Sequence, residues 1–138
     1  RIEGVREMSM TEAAEARGRA GENAVCEYLE ENGARILKRN FRIKHGEIDI
    51  ISTDGEFIIF TEVKTRKYGA YDDGTGAMTK AKMKRIIAAS ERFVELNPEY
   101  EGLYRRFDTA YVTVTTEKYP RILDIEYYKS DFTALSCR

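Results

Sequence analysis

The spacing of apolar and polar positions changes several times along the chain, and the first change marks a helix. Ser9 and Glu12 have the form of a capping box, which satisfies main-chain N–H groups at a helix start. An Ala-rich run follows and stops at Asn32-Gly33, a sequence typical of a helix end. The pattern predicts a helix over about residues 11–32.

This helix carries an acidic residue on its apolar side. Steps of three and four residues place Gly18, Val25 and Leu29 on one stripe, the side expected to face the core. Glu22 falls on the same stripe, between Gly18 and Val25. A carboxylate is therefore expected to face inward.

The rest of the chain switches between strand and helix patterns. In chain order we predict an edge strand over 35–43, a hairpin over 45–66 that turns at Asp54-Gly55, a helix through 83–94 that ends at Asn97-Pro98, and a closing hairpin over 106–114 and 121–128. The order is helix, three strands, helix, two strands. It favours an α/β or α+β domain with a mixed sheet covered by helices.

One domain accounts for the whole chain. Its 138 residues lie in the size range of a single domain, and a chain of this length buries roughly two-thirds of its unfolded surface. We assign residues 1–138 to that domain. Residues 1–10 are expected to be disordered, and residues 130–138 are expected to form a loose tail.

Composition excludes several function classes. The 23 Lys and Arg residues nearly balance the 24 Asp and Glu residues, so net charge indicates neither a nucleic acid nor a membrane as partner. Cys26 and Cys137 are too few for a disulfide framework and are interpreted as reduced thiols of a cytoplasmic protein. No stretch approaches the roughly 18 consecutive apolar residues of a membrane span, so no membrane partner is expected.

Charged side chains interrupt the central hairpin. If Asp54-Gly55 is a two-residue loop, Asp49 lies opposite Phe60 and Glu47 lies opposite Glu62. Because side chains alternate between faces along a strand, four ionisable side chains share one face: Glu47, Asp49, Glu62 and Lys64. The other face receives Ile48, Ile50, Ile59, Thr61 and Val63.

This charged face predicts a metal site. Like charges opposite each other destabilise a sheet, and burying several carboxylates raises the pKa of at least one. A divalent cation such as Mg²⁺ or Mn²⁺ compensates, because it prefers carboxylate oxygens and leaves room for waters and a substrate phosphate. Lys64 adds a positive charge that could orient or deprotonate a water. The alternative is a solvated strand face, which a lone Glu-x-Lys usually marks.

Three segments of the chain match one known family. They are Gly18-Arg19-Ala20-Gly21-Glu22, Gly46-Glu47-Ile48-Asp49 and Glu62-Val63-Lys64-Thr65-Arg66. With them the chain closely resembles the YraN-like family of small, largely uncharacterised proteins, within the PD-(D/E)XK nuclease superfamily, and it is similar to archaeal Holliday-junction resolvases. The likeness runs from about residue 18 to Val114 and includes Arg39-Asn40, Lys82 and Arg106-Phe107-Asp108.

The resemblance implies a restriction-endonuclease-like αβββαβ core, here with an extra C-terminal strand, and a site for Mg²⁺ or Mn²⁺. Asp49 and Glu62 match the metal-binding carboxylates of that site, and Lys64 matches its lysine. Glu22 matches a helical glutamate that assists catalysis in resolvase-like members. The Val63 carbonyl would be a further metal ligand, and Glu47 would be either another ligand or an orienting partner.

The implied activity is metal-dependent hydrolysis of DNA phosphodiester bonds, in branched or single-stranded DNA during recombination or repair. From Lys64 to Arg85 the chain has seven cations and two anions, a patch that favours nucleic acid through counterion release. The residues expected to contact the DNA backbone are Arg66, Lys82, Lys67 and Lys80. Lys80 and Lys84 could instead solvate the outer face of the second helix. Similarity to resolvases is also compatible with a homodimer.

Two other functions fit the same residues. The chain could be a nucleic-acid-binding module that keeps the fold but has little or no catalysis, or an interaction protein with a structural ion site. The intact Asp, Glu and Lys favour the nuclease. Thr61 and the loop over 70–77 depart from the family pattern, which leaves the details of substrate contact open.

Several conspicuous side chains are assigned structural roles. His45, the only histidine, is expected in a solvated loop. Asp108 is expected to make a structural hydrogen bond to a loop. Tyr111, Tyr127 and Tyr128 are expected to pack on the sheet.

Overall fold

The computed structural model describes residue 4, residues 7–70 and residues 78–137. It contains helix α1 (Met10–Glu31), strands β1 (Arg35–Ile43), β2 (Gly46–Thr53) and β3 (Phe57–Lys67), helix α2 (Lys80–Leu96), and strands β4 (Tyr104–Val114) and β5 (Ile122–Phe132). Short 3₁₀ helices follow α2 and β5, over Pro98–Tyr100 and Ala134–Cys137. The helices and strands predicted from the periodicity are confirmed.

Both helices begin at side-chain caps. The Ser9 hydroxyl accepts the main-chain N–H of Glu12 at 3.1 Å, as the capping box predicts. Gly33 turns the chain after α1 with a φ of 90°, a conformation that favours glycine. The Thr79 hydroxyl accepts the N–H of Lys82 at 3.1 Å. This second cap fixes the first turn of α2, which carries Lys82.

The five strands form one mixed sheet in the order β1-β2-β3-β4-β5. β3 and β4 are parallel, and the other neighbours are antiparallel. Parallel neighbours need a crossover connection, and α2 lies in the one between β3 and β4. The predicted α+β fold with a mixed sheet is therefore confirmed.

The two helices pack on opposite faces of the sheet. Phe60 of β3 packs in one apolar cluster with Phe93 of α2. Val63 of β3 packs in a second cluster with Val25 of α1. Because alternate residues of a strand point to opposite faces, even-numbered positions of β3 face α2 and odd-numbered positions face α1. Neither helix, within the described part of the chain, has the length and apolar character of a membrane span.

The central hairpin does not have the predicted register. Thr53 pairs with Ile58, and the ladder runs as far as Ile50 paired with Thr61. Four residues, 54–57, therefore separate the first pair, and the predicted two-residue loop is wrong. Each pair is shifted by two positions, and a shift of two keeps a side chain on its predicted face because side chains alternate with a period of two.

Side-chain hydrogen bonds account for the longer loop. The Asp54 carboxylate accepts the N–H groups of Glu56 at 3.0 Å and Phe57 at 2.8 Å. The Thr53 hydroxyl donates to the Phe57 carbonyl at 2.7 Å and accepts the Gly55 N–H at 3.1 Å. These bonds satisfy main-chain groups near the turn, as Asp and Thr side chains commonly do.

Side-chain alternation fails at one point of β2. Ile48 packs in the α2 cluster, although Ile50, two positions further on, packs in the α1 cluster. The break falls at Asp49, just beyond the last pair of the β2–β3 ladder. The prediction that Ile48 shares the face of Ile50 is therefore wrong, because β2 separates from β3 here.

Residues 130–137 do not form the loose tail that was expected over residues 130–138, of which residue 138 lies outside the described part of the chain. Phe132, at the end of β5, is buried in the α2 cluster. Cys137 is buried in the 3₁₀ helix that packs against α2. Burial of these side chains stabilises the end of the chain. Cys26 and Cys137 are both free thiols, as predicted.

Two other predicted segments fall partly outside the described residues. Of residues 1–10, expected to be disordered, Ser9 caps α1 and Met10 begins it, while residues 1–3 and 5–6 lie outside. Of the loop over 70–77, only Ala70 is described.

A buried polar network joins β3, β4 and β5. The fully buried Asp108 carboxylate accepts hydrogen bonds from the Arg106 guanidinium at 2.9 to 3.1 Å. It also accepts the Tyr127 hydroxyl at 2.5 Å and the Ser130 N–H at 2.9 Å. The Tyr127 hydroxyl lies 3.0 Å from that of Thr61. The structural role predicted for Asp108 is confirmed, although its main-chain partner belongs to β5 rather than to a loop.

Asp108→Asn is expected to lower the free energy of unfolding by on the order of 3 kcal/mol, because it leaves the Arg106 guanidinium without its carboxylate. The exposed Asp124 of β5 provides the matched control, and Asp124→Asn should change stability by less than about 0.5 kcal/mol. Urea unfolding followed by circular dichroism measures both variants. Equal stability of the two would contradict a stabilising role for the network.

Candidate active site

Asp49 lies in the gap that opens where β2 leaves β3. It is 8% exposed, and its Oδ2 accepts the main-chain N–H of Val63 at 2.8 Å. This bond connects the strands beyond Ile50 and Thr61, where the main-chain ladder ends. The Asp49 carboxylate therefore lies close to the plane of the sheet, between its two faces. The prediction that Asp49 shares one face with Glu62 and Lys64 is wrong in this respect.

The surroundings make ionisation of Asp49 costly. Burial raises its pKa to about 7, and the negative charge of Glu62 acts in the same direction. Glu22 and Glu47 add to the rise, whereas the Val63 N–H lowers the pKa. A carboxyl group that titrates near neutral pH beside other carboxylates is typical of a functional site.

Glu62 is held by two lysines. It is 8% exposed, and its Oε1 lies 2.8 Å from Lys82 Nζ and 3.7 Å from Lys64 Nζ. Lys64 follows Glu62 by two positions on β3, so both side chains face α2. Lys82 reaches the same point from the first turn of α2. Two ammonium groups therefore offset one buried carboxylate.

The two lysines differ in how firmly they hold a proton. Burial lowers the pKa of Lys64, and the neighbouring Lys82 lowers it further. Burial also disfavours the charge on Lys82, but the hydrogen bond with Glu62 helps to outweigh that penalty and the pKa of Lys82 is raised. Lys64 is thus the better proton acceptor, and Lys82 is the more permanent cation.

Glu22 approaches the gap from α1 and is held by β1. Its Oε1 accepts a hydrogen bond from Asn40 Nδ2 at 3.2 Å and lies 3.4 Å from Arg39 Nη2. The same Arg39 nitrogen donates to Asn23 at 2.8 Å. Asn40 has a φ of 52°, a left-handed conformation in which Asn is enriched. These bonds orient the carboxylate that the helical spacing predicts on the inward side.

Close packing of α1 on β3 brings Glu22 to the gap. A Cβ on Gly21 would overlap the Thr65 hydroxyl oxygen, so the helix reaches this position because residue 21 is glycine. A cavity of about 220 Å³ lies beside the contact, and Glu22, Asp49 and Thr65 line it. Asp49 is thereby accessible from the α1 side of the sheet.

A larger cavity, of about 520 Å³, lies on the α2 side between α2 and the turn that joins β1 to β2. We call it the basic cleft. Its acidic side chains are Glu62 and Glu47, and the exposed Glu47 is paired with Arg42 at 3.2 Å. Its basic side chains are Arg42, Lys44, His45, Lys82 and Arg85. Glu62 therefore faces a cavity with more positive than negative groups, and the exposed position predicted for His45 is confirmed.

The predicted DNA-contacting cations do not all lie together. Lys82 lines the basic cleft, whereas the Arg66 guanidinium lies 5.2 Å from the ring centre of Tyr111 on β4. Lys67 is exposed at the end of β3, and Lys80 is exposed at the start of α2. Sequence reasoning missed the cations of the β1–β2 turn, because they precede the charged hairpin and approach it only in the fold.

The carboxylates alone do not form a complete metal cage. Within residues 7–70 and 78–137, no three His, Cys, Asp or Glu side chains are grouped closely enough to hold an ion. Asp49 and Glu62 supply carboxylate oxygens next to the gap, and Val63 supplies a main-chain carbonyl. This donor set suits Mg²⁺, which is commonly bound by one or two carboxylates together with waters and substrate phosphates. The raised pKa of Asp49 also reports an excess of negative charge that a cation would relieve.

Comparison with known proteins finds relatives that share this part of the chain. The model of the uncharacterised protein family UPF0102 matches residues 21–112, which run from α1 into β4 and contain both cavities' acidic residues. A UPF0102 protein of Caldicellulosiruptor saccharolyticus is 36% identical over 115 residues, which cover 83% of this chain and 95% of the relative. Another, of Nitrosococcus oceani, is 35% identical over 102 residues, which cover 74% of this chain and 81% of the relative.

Removal of the Asp49 charge is expected to stabilise the protein at alkaline pH. Its folded-state pKa of about 7 exceeds the ordinary value of 3.8, so the native state binds this proton more tightly than the unfolded chain. The stabilisation that this proton binding provides is fully present below about pH 4, and it is lost as the pH rises through about 7. Asp49→Asn removes that loss of stability, and it should raise the free energy of unfolding at pH 8 by on the order of 4 kcal/mol.

Urea unfolding at pH 5 and pH 8, without divalent ions, measures this effect. The advantage of Asp49→Asn over the wild type should grow between the two pH values, while the exposed Asp124→Asn control follows the wild type. A constant difference between Asp49→Asn and the wild type would show that Asp49 titrates outside this range, contrary to the expectation.

Proposed function

The chain belongs to the UPF0102 family, and we propose that it is a nuclease that uses a divalent metal ion to hydrolyse phosphodiester bonds in DNA. One observation carries the proposal. Two buried carboxylates meet where β2 separates from β3: Asp49 lines the cavity on the α1 side, and Glu62 lies beside Lys64 and Lys82 at the wall of the basic cleft on the α2 side. The family description names no activity, and the chemistry of these groups is what supports hydrolysis.

The proposal includes a restriction-endonuclease-like core of the PD-(D/E)XK superfamily. Three features support that assignment. The elements from α1 to β4 follow the order αβββαβ, Asp49 lies where the β2–β3 ladder ends, and Glu62-Val63-Lys64 lies on the adjacent strand. In this assignment β5 is an addition to the core.

Asp49 and Glu62 would hold Mg²⁺ or Mn²⁺, with the Val63 carbonyl as a further ligand. When bound, the ion neutralises negative charge on the phosphate and makes a water more acidic. Asp49 must be ionised to act as a ligand, so metal binding should strengthen as the pH rises through about 7. Glu22, oriented by Asn40, would hold a water at the α1 side of the gap.

Lys64 would act first on the attacking water and then on the phosphate. As the neutral amine, the form that its lowered pKa favours, it would accept a proton from the water. The ammonium formed in that transfer would then stabilise the negative charge that develops on the phosphate oxygens. Lys82 retains its proton, holds Glu62 in place at 2.8 Å and presents positive charge to the basic cleft.

The basic cleft supplies a surface for the DNA backbone. Arg42, Lys44, Lys82 and Arg85 line it next to Glu62. Neutralisation of phosphates by these side chains releases counterions, so the affinity for DNA should fall steeply as salt is added. Cations that precede the hairpin in sequence and cations that follow it would therefore position the DNA strand together. The predicted patch, by contrast, contained only cations from Lys64 onward.

A second function is favoured by the pairing of Glu62 with Lys82. A protein that binds DNA through the basic cleft, and uses its carboxylates only to order the lysines, would have the same ion pair. It would also need no complete metal cage, and none is formed among the described side chains. This alternative is a nucleic-acid-binding module without hydrolysis.

Asp49→Asn and Lys64→Met are each expected to reduce DNA cleavage by at least about a hundredfold, a loss typical of removing a proton-transfer or charge-stabilising group. Labelled single-stranded, duplex and four-way-junction DNA would be incubated with Mg²⁺ or Mn²⁺ and, in parallel, with EDTA. Asp49→Asn keeps the size of the side chain and an acceptor for the Val63 N–H. The exposed Glu99→Gln and Lys38→Met variants serve as controls and should cut at the wild-type rate.

The outcomes separate the candidate functions. Cutting that requires the metal and both residues supports the nuclease. A melting temperature that Mg²⁺ raises for the wild type but not for Asp49→Asn shows that Asp49 binds the ion, which the nuclease and a structural ion site both require. Salt-sensitive binding without cutting by the wild type identifies the binding module. Metal binding without any affinity for DNA would identify a structural ion site and contradict both.

A further inference from the structure

The row of side chains that contains Glu62 continues across the sheet onto β4 and β5. Glu62 pairs with Thr109, and Thr109 pairs with Tyr128. In the next row Lys64 pairs with Tyr111. Paired residues of neighbouring strands lie on the same face, so two tyrosines share the face of the proposed catalytic groups.

The contacts of Tyr127 confirm that Tyr128 lies on the face that carries Glu62. Tyr127 packs against Tyr28 of α1, with ring centres 5.0 Å apart. Tyr128 follows it on the same strand and points to the opposite face, the one that carries Glu62 and Lys64. The packing role predicted for Tyr127 is confirmed. Tyr128 also packs on the sheet, against Tyr111, but remains 46% exposed. α2 packs chiefly over β1 and β2 on this face.

The exposed tyrosine belongs to an ordered aromatic group. The rings of Tyr111 and Tyr128 meet edge to face, with centres 5.8 Å apart and planes at 81°. The Arg66 guanidinium lies 5.2 Å from the centre of the Tyr111 ring, and the Tyr128 hydroxyl donates to Glu126 at 3.0 Å. We call Arg66, Tyr111 and Tyr128 the tyrosine platform.

The platform and the basic cleft lie on either side of Glu62. The cleft involves β1, β2 and α2, whereas the platform involves β4 and β5. Strands in a sheet are about 4.8 Å apart, so the backbone of Tyr128 is about 10 Å from that of Glu62. A strand of DNA that leaves the cleft past Glu62 reaches the platform within a few nucleotides.

We propose that the tyrosine platform stacks on an unpaired base next to the phosphate that is cut, an inference that rests on the proposed function. Aromatic side chains bind nucleic acid by stacking on bases, and Arg adds a cation–π contribution. The faces of bases inside a duplex are already covered by their neighbours. The substrate class is therefore DNA with unpaired nucleotides at the cleavage point, such as a single strand or a branch, rather than intact duplex.

Position favours this occupant over a second copy of the chain. β5 also exposes Ile122 and Leu123, which an associating protein surface could cover. Charge does not distinguish the two occupants, because the Glu126 carboxylate accepts the Tyr128 hydroxyl on the face that carries the Arg66 guanidinium. The platform, however, lies in the rows of Glu62 and Lys64, so a DNA strand held by the cations of the basic cleft passes over it.

Fluorescence anisotropy of labelled oligonucleotides in EDTA tests the platform independently of catalysis. Tyr128→Ala should bind a single strand about tenfold more weakly, the loss typical of one base–aromatic stack, and should bind the duplex of the same sequence as the wild type does. Tyr128→Phe keeps the ring and should retain the wild-type affinity. Tyr104 is 69% exposed and packs on Phe57 at the other end of the same strands, so Tyr104→Ala is the matched control and should bind normally.

Three other results would contradict the platform, its DNA occupant or DNA hydrolysis. Unchanged binding by Tyr128→Ala, or an equal loss for single strand and duplex, overturns the platform. A shift from dimer to monomer in sedimentation of Tyr128→Ala, with unchanged DNA affinity, assigns the surface to a second copy of the chain instead. If the wild type cuts no DNA but its binding of the single strand depends on Tyr128, the platform is supported and only hydrolysis is contradicted.

Discussion

The carboxylates of Asp49 and Glu62 are buried together where β2 separates from β3, and the surrounding groups respond to the cost of that burial. Removal of like charges from water is unfavourable unless cations or protons offset them. Lys82 offsets Glu62 at 2.8 Å, whereas Asp49 responds by a rise of its pKa to about 7. The proposed function follows from this imbalance, because a divalent cation held by Asp49 would replace the proton and would supply positive charge for a substrate phosphate near Lys64.

The arrangement depends on contacts between parts of the chain that are distant in sequence. Gly21 lets α1 approach β3 closely enough to bring a third carboxylate to the gap. The buried network of Asp108 and Tyr127 fixes Thr61, the residue before Glu62. These contacts hold β3 while β2 diverges from it, so the gap is built into the fold. β3 also lies between the basic cleft and the tyrosine platform.

Local sequence patterns predicted the helices and strands, but they did not predict every strand register or every contact between these elements. Helix starts and strand periods depend on near neighbours in sequence, which is why the α+β order was predictable. The hairpin register was not, because the Asp54 carboxylate bonds two N–H groups and lengthens the turn. The pairing of Lys82 with Glu62 was also missed, since it depends on where α2 crosses the sheet. Strand alternation could have placed Tyr127 and Tyr128 on opposite faces of the sheet, where each packs against a different tyrosine.

The ionisation of Asp49 tests the central claim most directly. Carbon-detected NMR of the side-chain carboxyl groups, assigned with the Asp49→Asn variant, would follow its titration with and without Mg²⁺. The account predicts a pKa of about 7 in the metal-free protein and a clear decrease when Mg²⁺ is added, because a bound cation favours the ionised form. An ordinary pKa near 4 that is insensitive to Mg²⁺ would contradict it.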